Sequence, residues 1–173
     1  TAGTVTFSEK VGDSAGNAVE TITLNTGTTS VFNKAVDSTA ITASTTASST
    51  FNAAVTNTNA ITTGVGSTTV FDSTVSSATL SNSGAMTLKG AVTLTGVLTT
   101  GNGSTITLGT AFKDGGATAI TATDSTDGIN QTGGAVTVNV SNQFTTGTVV
   151  LLENTDTLDA NDLAAFTVTD TAL

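Results

Sequence analysis

The chain carries an internal repeat with a period of about 20 residues, and this period constrains its fold more than any other feature. One column of the repeat contains Ile22, Ile41, Ile61 and Leu80, whose successive residue numbers differ by 19, 20 and 19. A fixed period of this size is typical of solenoids, in which each unit contacts mainly its neighbours. The repeat therefore predicts a body of stacked, similar units.

Two further apolar columns keep a constant distance from the first. In three successive units, a phenylalanine stands at the tenth position after the isoleucine and a valine at the fourteenth. These pairs are Phe32 and Val36, Phe51 and Val55, and Phe71 and Val75. The next unit, with Leu80, Leu88 and Val92, keeps the pattern with shorter offsets, and Leu98, Leu108 and Phe112 are predicted to resume the original ones.

The segments around these anchors alternate apolar and small polar residues, as a half-buried β-strand does. Ala85–Leu88 is one example, and glycines separate such segments along the chain. This period fits one coil of a parallel β-helix, whose successive strands stack ~4.8 Å apart. We therefore predict an all-β fold, a β-solenoid with coils of about 20 residues, although the pattern does not indicate its handedness. Strand spacings of ~8–12 residues also fit an antiparallel β-sandwich with strand donation, which remains the alternative.

The amino-acid composition agrees with strands and argues against an enzyme. Forty-three of the 173 residues are threonine, a β-branched residue that suits solvated strand faces. The chain contains no His, Cys, Arg, Trp or Tyr, so most groups used for catalysis or for stacking on sugar rings are missing. A pair of carboxylates remains chemically possible for glycoside hydrolysis. We predict a non-enzymatic protein without a cofactor.

Charge and hydropathy exclude two further classes of partner. The formal net charge is −9, with only four lysines, so the chain would repel the phosphate backbone of a nucleic acid. The longest aliphatic run covers positions 149–152, far too short for a transmembrane helix. The bias toward Thr, Ser, Asn and Gly, with few Lys and Glu, favours an extracellular or cell-surface location.

The chain is expected to form one structural domain with three segments. Residues 1–20 are predicted to form an N-terminal cap or donor strand, residues 21–148 the solenoid repeats, and residues 149–173 a C-terminal cap with an acidic segment and a terminal strand. The sequence begins at Thr1, without Met or an apolar leader. This start indicates a removed signal peptide or a segment cut from a longer protein.

Two segments resemble the repeats of large bacterial surface proteins. They are Gly90–Gly109, GAVTLTGVLTTGNGSTITLG, and Ile129–Val138, INQTGGAVTV. Those families include β-strand-repeat adhesins, autotransporter passengers and filamentous-haemagglutinin-type β-helices. The resemblance implies a secreted parallel β-helix with a surface role, and it carries over no catalytic residue.

Acidic residues recur every three positions near the C-terminus. They are Glu153, Asp156, Asp159 and Asp162. One interpretation is a solvated helical turn, with Leu163 and Phe166 packed on the end of the solenoid. The other is a calcium site, because carboxylate oxygens suit this hard cation, although the spacing differs from an EF-hand loop.

Two alternating segments at the chain ends are the candidate self-assembly strands. They contain Val5 and Phe7 near the N-terminus and Phe166 and Val168 near the C-terminus. A strand with unpaired N–H and C=O groups can add a strand from another subunit. We therefore predict a homopolymer, a structural subunit of an extracellular filament, matrix or surface layer. The alternatives are an adhesin segment that binds a glycan or host surface, and a phage or viral fibre.

Overall fold

A computed structural model describes residues 3–13, 16–96, 98–101, 103–108, 120–122, 129–132, 136–139, 152–154 and 166–169. For the five strands from residue 120 onward, the description covers the backbone and its pairing. The described elements are all strands: β1 Thr4–Phe7, β2 Val19–Leu24, β3 Thr29–Phe32, β4 Val36–Ala43, β5 Ser48–Phe51, β6 Val55–Thr63, β7 Thr68–Phe71, β8 Val75–Ser77, β9 Thr79–Asn82, β10 Ala85–Leu88, β11 Val92–Leu94, β12 Leu98–Gly101, β13 Thr105–Leu108, β14 Ile120–Ala122, β15 Ile129–Thr132, β16 Val136–Asn139, β17 Leu152–Asn154 and β18 Phe166–Thr169.

The strands form two parallel sheets that face each other across the core. Sheet A has eight strands in the order β1-β3-β5-β7-β10-β13-β16-β18. In sheet B, the long strands β4 and β6 span the full width, and β6 then pairs with both β8 and β9. From this point sheet B continues as two stacks, one through β8, β11, β14 and β17 and the other through β9, β12 and β15.

The pairing register confirms the predicted solenoid. Ile22 pairs with Ile41, Ile41 with Ile61, and Ile61 with Leu80. The phenylalanine column is also continuous, because Phe32, Phe51 and Phe71 are successive partners in sheet A. Every pairing between the named strands is parallel, so the antiparallel sandwich was the wrong alternative.

The coils lengthen in the second half of the chain, where one predicted column member is wrong. Val92 pairs with Ile120, so Ile120 and not Phe112 continues the valine column. Likewise Leu98 pairs with Ile129, which lies well beyond one period of the repeat. Extra residues lie between these strands, but the pairing register is unchanged. Insertions between coils leave the ladder hydrogen bonds intact.

The core consists of stacked side chains, one layer per coil. The rings of Phe32 and Phe51 are parallel within 4° with centroids 4.7 Å apart, and Phe51 and Phe71 continue the stack at 5.2 Å. Leu88 and then Leu108 occupy this column in the next two coils. All five side chains are at most 1% exposed, so the column supplies much of the apolar burial that stabilises the fold.

Polar residues also stack inside the solenoid, where they hydrogen-bond between coils. Asn57 donates from Nδ2 to Ser38 Oγ at 3.1 Å and accepts from Ser77 Oγ at 3.2 Å. Thr63 Oγ1 donates to Asn82 Oδ1 at 2.7 Å in a neighbouring column. All these residues are buried. The bonds satisfy polar groups that would be costly to bury without partners.

A recurrent tight turn joins sheet B to sheet A, and one coil builds it with an unfavourable residue. The third turn residue has positive φ in Gly27, Gly66 and Gly103, and also in Thr46, at 58°. A β-branched residue is strained in this region, whereas glycine adopts it readily.

We expect Thr46→Gly to raise the free energy of unfolding by about 0.5–1 kcal/mol, measured by urea unfolding with circular dichroism. Gly66→Thr is the matched reverse change and should lower the free energy of unfolding. A loss of stability in Thr46→Gly would contradict the conclusion that the backbone of Thr46 is strained.

Candidate self-assembly site

The N-terminal end of the solenoid is an open strand edge. Within the described part of the chain, β1 pairs with β3 alone and so ends sheet A. All four of its residues are exposed. Edge strands are commonly protected by charge, proline or a β-bulge, and the sequence of β1, TVTF, contains no charged residue or proline.

The inward-facing residues of β1 leave the apolar core uncovered. The ring of Phe7 stacks on Phe32 with centroids 4.5 Å apart and an interplanar angle of 2°. Phe7 nevertheless remains 36% exposed and Val5 50%, whereas Phe32, one strand inward, is 1% exposed. The phenylalanine stack therefore ends at a ring that has no further coil over it among the described residues.

A recess of about 180 Å³ opens at this end, beside the exposed β1 residues. Its walls come from β1 and β3 on one side and from β2 and the following turn on the other. The lining residues are Val5, Phe7, Ile22, Thr23, Leu24, Asn25, Thr28 and Ser30. The recess is the uncovered end of the interior space between the two sheets, so an added coil would close it.

Within the described chain, only one side of the β1 backbone is hydrogen-bonded to another strand. Thr29 and Asn33 donate their N–H groups to the carbonyl oxygens of Gly3 and Phe7. Because successive residues of a strand direct their backbone groups to opposite sides, those of Thr4 and Thr6 point to the open edge. Among the described residues, no strand pairs with this edge of β1.

The segment after β1 is attached firmly to the first full coil. Val11 forms a parallel bridge with Val36, and Gly12 packs against the backbone of Asp37 with a φ of 79°. Lys10 Nζ lies 2.8 Å from Asp37 Oδ2, and the Asp37 side chain is 8% exposed. The hydrogen bond to Asp37 raises the pKa of Lys10, so on the alkaline side the pair keeps its charge attraction until the pH rises through this raised value.

The opposite end of sheet A is formed by β18. This strand pairs with β16 alone within the described chain, in a register that places Val168 beside Val138. The two predicted assembly segments thus occupy the two opposite edges of one parallel sheet. The exposure of Val5 and Phe7 agrees with an assembly role, while the role itself stays a prediction for all four residues, Val5, Phe7, Phe166 and Val168.

The structure describes only part of the acidic series that begins at Glu153. Glu153 lies in β17, with its backbone paired to Thr121, so Glu153 is not part of the predicted helical turn. Phe166 likewise begins the strand β18. Asp156, Asp159 and Asp162 lie outside the described residues, and the calcium site remains a prediction. Among the described residues, no group of three or more His, Cys, Asp or Glu side chains could hold a metal ion.

The geometry defines this protein as a parallel β-solenoid in which, among the described residues, the first strand of sheet A is exposed. The described part of the chain contains no helix long and apolar enough to cross a membrane. Comparison with protein-family models, curated proteins and solved structures returns no match for this chain.

Proposed function

We propose that this protein is a structural subunit of an extracellular filament, matrix or surface layer, which assembles by stacking solenoids end to end. The observation that carries the proposal is the position of β1 and β18 at opposite edges of the same parallel sheet. Each subunit then offers one donor edge and one acceptor edge. The role is mechanical, and it needs no catalytic group.

End-to-end stacking of this kind gives an open polymer. The two edges are different surfaces, so the contact is head to tail, and it leaves a free edge at each end of any oligomer. Because the strands on both edges run parallel to their neighbours, an incoming subunit would continue the sheet without reversing direction. The exposed Val5 and Phe7 would become buried, which supplies the apolar contribution to assembly.

The surface location is supported by composition and by resemblance. The chain is rich in Thr, Ser, Asn and Gly and has no cysteine, so its stability needs no particular redox compartment. Its repeats resemble those of secreted bacterial β-strand-repeat proteins. An extracellular scaffold is the role that both features favour.

The variant Thr6→Pro tests the proposal at the open edge. Proline removes the Thr6 N–H, which points away from β3, so the pairing inside the subunit is retained. We expect filaments of the unmodified protein in negative-stain electron microscopy and only short species or monomers of Thr6→Pro. Sedimentation velocity would measure the same change in solution.

Thr6→Val is the matched control, because it keeps both the backbone donor and the β-branched shape. It should polymerise as the unmodified protein does, and all three proteins should show the same circular dichroism spectrum. Equal polymerisation of Thr6→Pro and Thr6→Val would contradict edge-mediated assembly. A monomeric unmodified protein over a wide concentration range would reject the proposed function itself.

A second candidate, an adhesin segment, is favoured by the outer face of sheet A. The outward positions of its central strands are at least partly exposed and carry no charge. They are Thr29, Val31, Ser48, Thr50, Thr68 and Val70. Such a regular face could contact a glycan or host surface. A stable monomer that binds a glycan array would support the adhesin, and a discrete trimer would instead indicate a phage or viral fibre.

A further inference from the structure

The residue pairing within sheet A indicates how the open edges of two copies would align. From the strand pairings we infer that β18 of one copy docks on β1 of the next with Thr167 beside Thr4 and Val168 beside Val5. This inference rests on the proposed end-to-end assembly and specifies its partner, a second copy of this chain, residue by residue.

The first argument is the continuity of columns through sheet A. The column that begins at Thr4 runs without a shift through all eight strands. Its members are Thr4, Thr29, Ser48, Thr68, Ala85, Thr105, Thr137 and Thr167. The column therefore starts and ends with threonine, and the same register across the junction places one terminal threonine beside the other.

The neighbouring column gives the same result for the inward face. Val5 belongs to the column that continues through Ser30 and Ser49 and ends at Val168. Ser30 is 5% exposed and Ser49 is 1% exposed, so this column faces the core. A shift of one residue would exchange inward and outward positions along the whole incoming strand, and Val5 would then meet a residue of the opposite face.

Steric space at the edge also fits this register. In the continued sheet, Phe166 falls opposite Gly3, the position just before β1. A Cβ built on Gly3 meets no heavy atom within 4 Å, so the edge is open at the position where β18 has its largest residue. The recess beside Val5 and Phe7 lies under the same junction and would be closed by the docked strand.

Cysteine pairs test the register directly, because the chain has no native cysteine. In the double variant Thr4→Cys/Thr167→Cys, the two positions of adjacent copies would lie about 4.8 Å apart, within the range for a disulfide. Within one copy they lie at opposite edges of eight strands, roughly 34 Å apart, so no internal bond can form. Mild oxidation of filaments should give a ladder of covalent oligomers on a non-reducing gel, which a reductant abolishes.

The control pair is Thr4→Cys/Thr169→Cys, which is offset by two positions along the strand. Its α-carbons would lie about 8 Å apart in the inferred register, beyond disulfide reach. We expect at least tenfold less crosslinked product than for the in-register pair. The pair Val5→Cys/Val168→Cys, which is also in register, should crosslink as well and provides a second test if the threonine pair fails to assemble.

The results of these experiments distinguish a wrong register from a wrong proposed function. Filaments that crosslink through the offset pair, or through neither in-register pair, would overturn the register while leaving end-to-end assembly intact. Absence of filaments in the unmodified protein would reject both the proposed function and the inference built on it. Filaments that crosslink selectively through the two in-register pairs would establish the junction.

Discussion

Replacing Phe51 by alanine is expected to lower the free energy of unfolding by about 3–5 kcal/mol, the largest single effect that we predict for this chain. Phe51 is 1% exposed and its ring stacks between those of Phe32 and Phe71. Truncation would leave a cavity in the middle of the column and remove both ring contacts. Urea unfolding followed by far-UV circular dichroism measures the change, since the chain lacks the Trp and Tyr used in fluorescence.

Phe51→Leu is the matched control for this prediction. The same column accepts leucine in later coils, at Leu88 and Leu108, both of which are buried. Leucine should therefore retain most of the burial and lose mainly the aromatic stacking, with a cost of about 1–2 kcal/mol. If Phe51→Ala were no more destabilising than Phe51→Leu, the stacked column would not be the main stabilising element.

The fold could be predicted from the sequence because one solenoid coil repeats the same requirement at the same spacing. Ile, Phe and Val recur with constant offsets wherever a coil keeps the regular period, and the structure pairs those residues across strands. The repeat period did not predict the strand pairing where residues were added between strands. The long segment between Val92 and its partner Ile120 cannot be recognised from spacing, since the inserted residues do not alter the ladder.

The candidate site could be predicted only in part. The alternation in TVTF identified Val5 and Phe7 as strand residues, and the structure places them on the open edge of sheet A. The register of β1 on β3 was not accessible, because the separation of Phe7 and Phe32 along the chain exceeds the repeat period. The Lys10–Asp37 ion pair was also missed, since it joins residues that no repeat relates.

The solenoid architecture explains why the candidate site lies at the chain ends. Each internal strand of sheet A has a neighbour on both sides, so its backbone hydrogen bonds are satisfied within the subunit. The first and last strands each lack one neighbour among the described residues. A stacked repeat protein therefore needs a cap or a partner at each end, and the exposed β1 favours a partner.

The second large effect is expected in the buried polar column, where Asn57→Ala should destabilise the protein by about 2–4 kcal/mol. Asn57 is 4% exposed; its amide donates to Ser38 Oγ, and its Oδ1 accepts from Ser77 Oγ and from the Asn59 N–H at 3.0 Å. Alanine would leave the buried Ser38 hydroxyl and the Asn59 N–H without the bonds that Asn57 supplies, whereas the Ser77 hydroxyl would keep the Thr79 carbonyl oxygen at 2.9 Å as its acceptor. The same urea unfolding experiment, performed on monomeric protein, measures the loss.

Asn52→Ala provides a control of the same chemistry in the same coil. Asn52 Nδ2 donates to Asn33 Oδ1 at 2.9 Å, but this ladder is exposed, so water can replace the lost partner. The control should therefore cost less than about 0.5 kcal/mol. A cost of Asn57→Ala as small as that of Asn52→Ala would mean that water reaches the interior column. In that case the apolar columns and the backbone ladders would hold the solenoid together, and the buried amide and hydroxyl groups would not fix the alignment of successive coils.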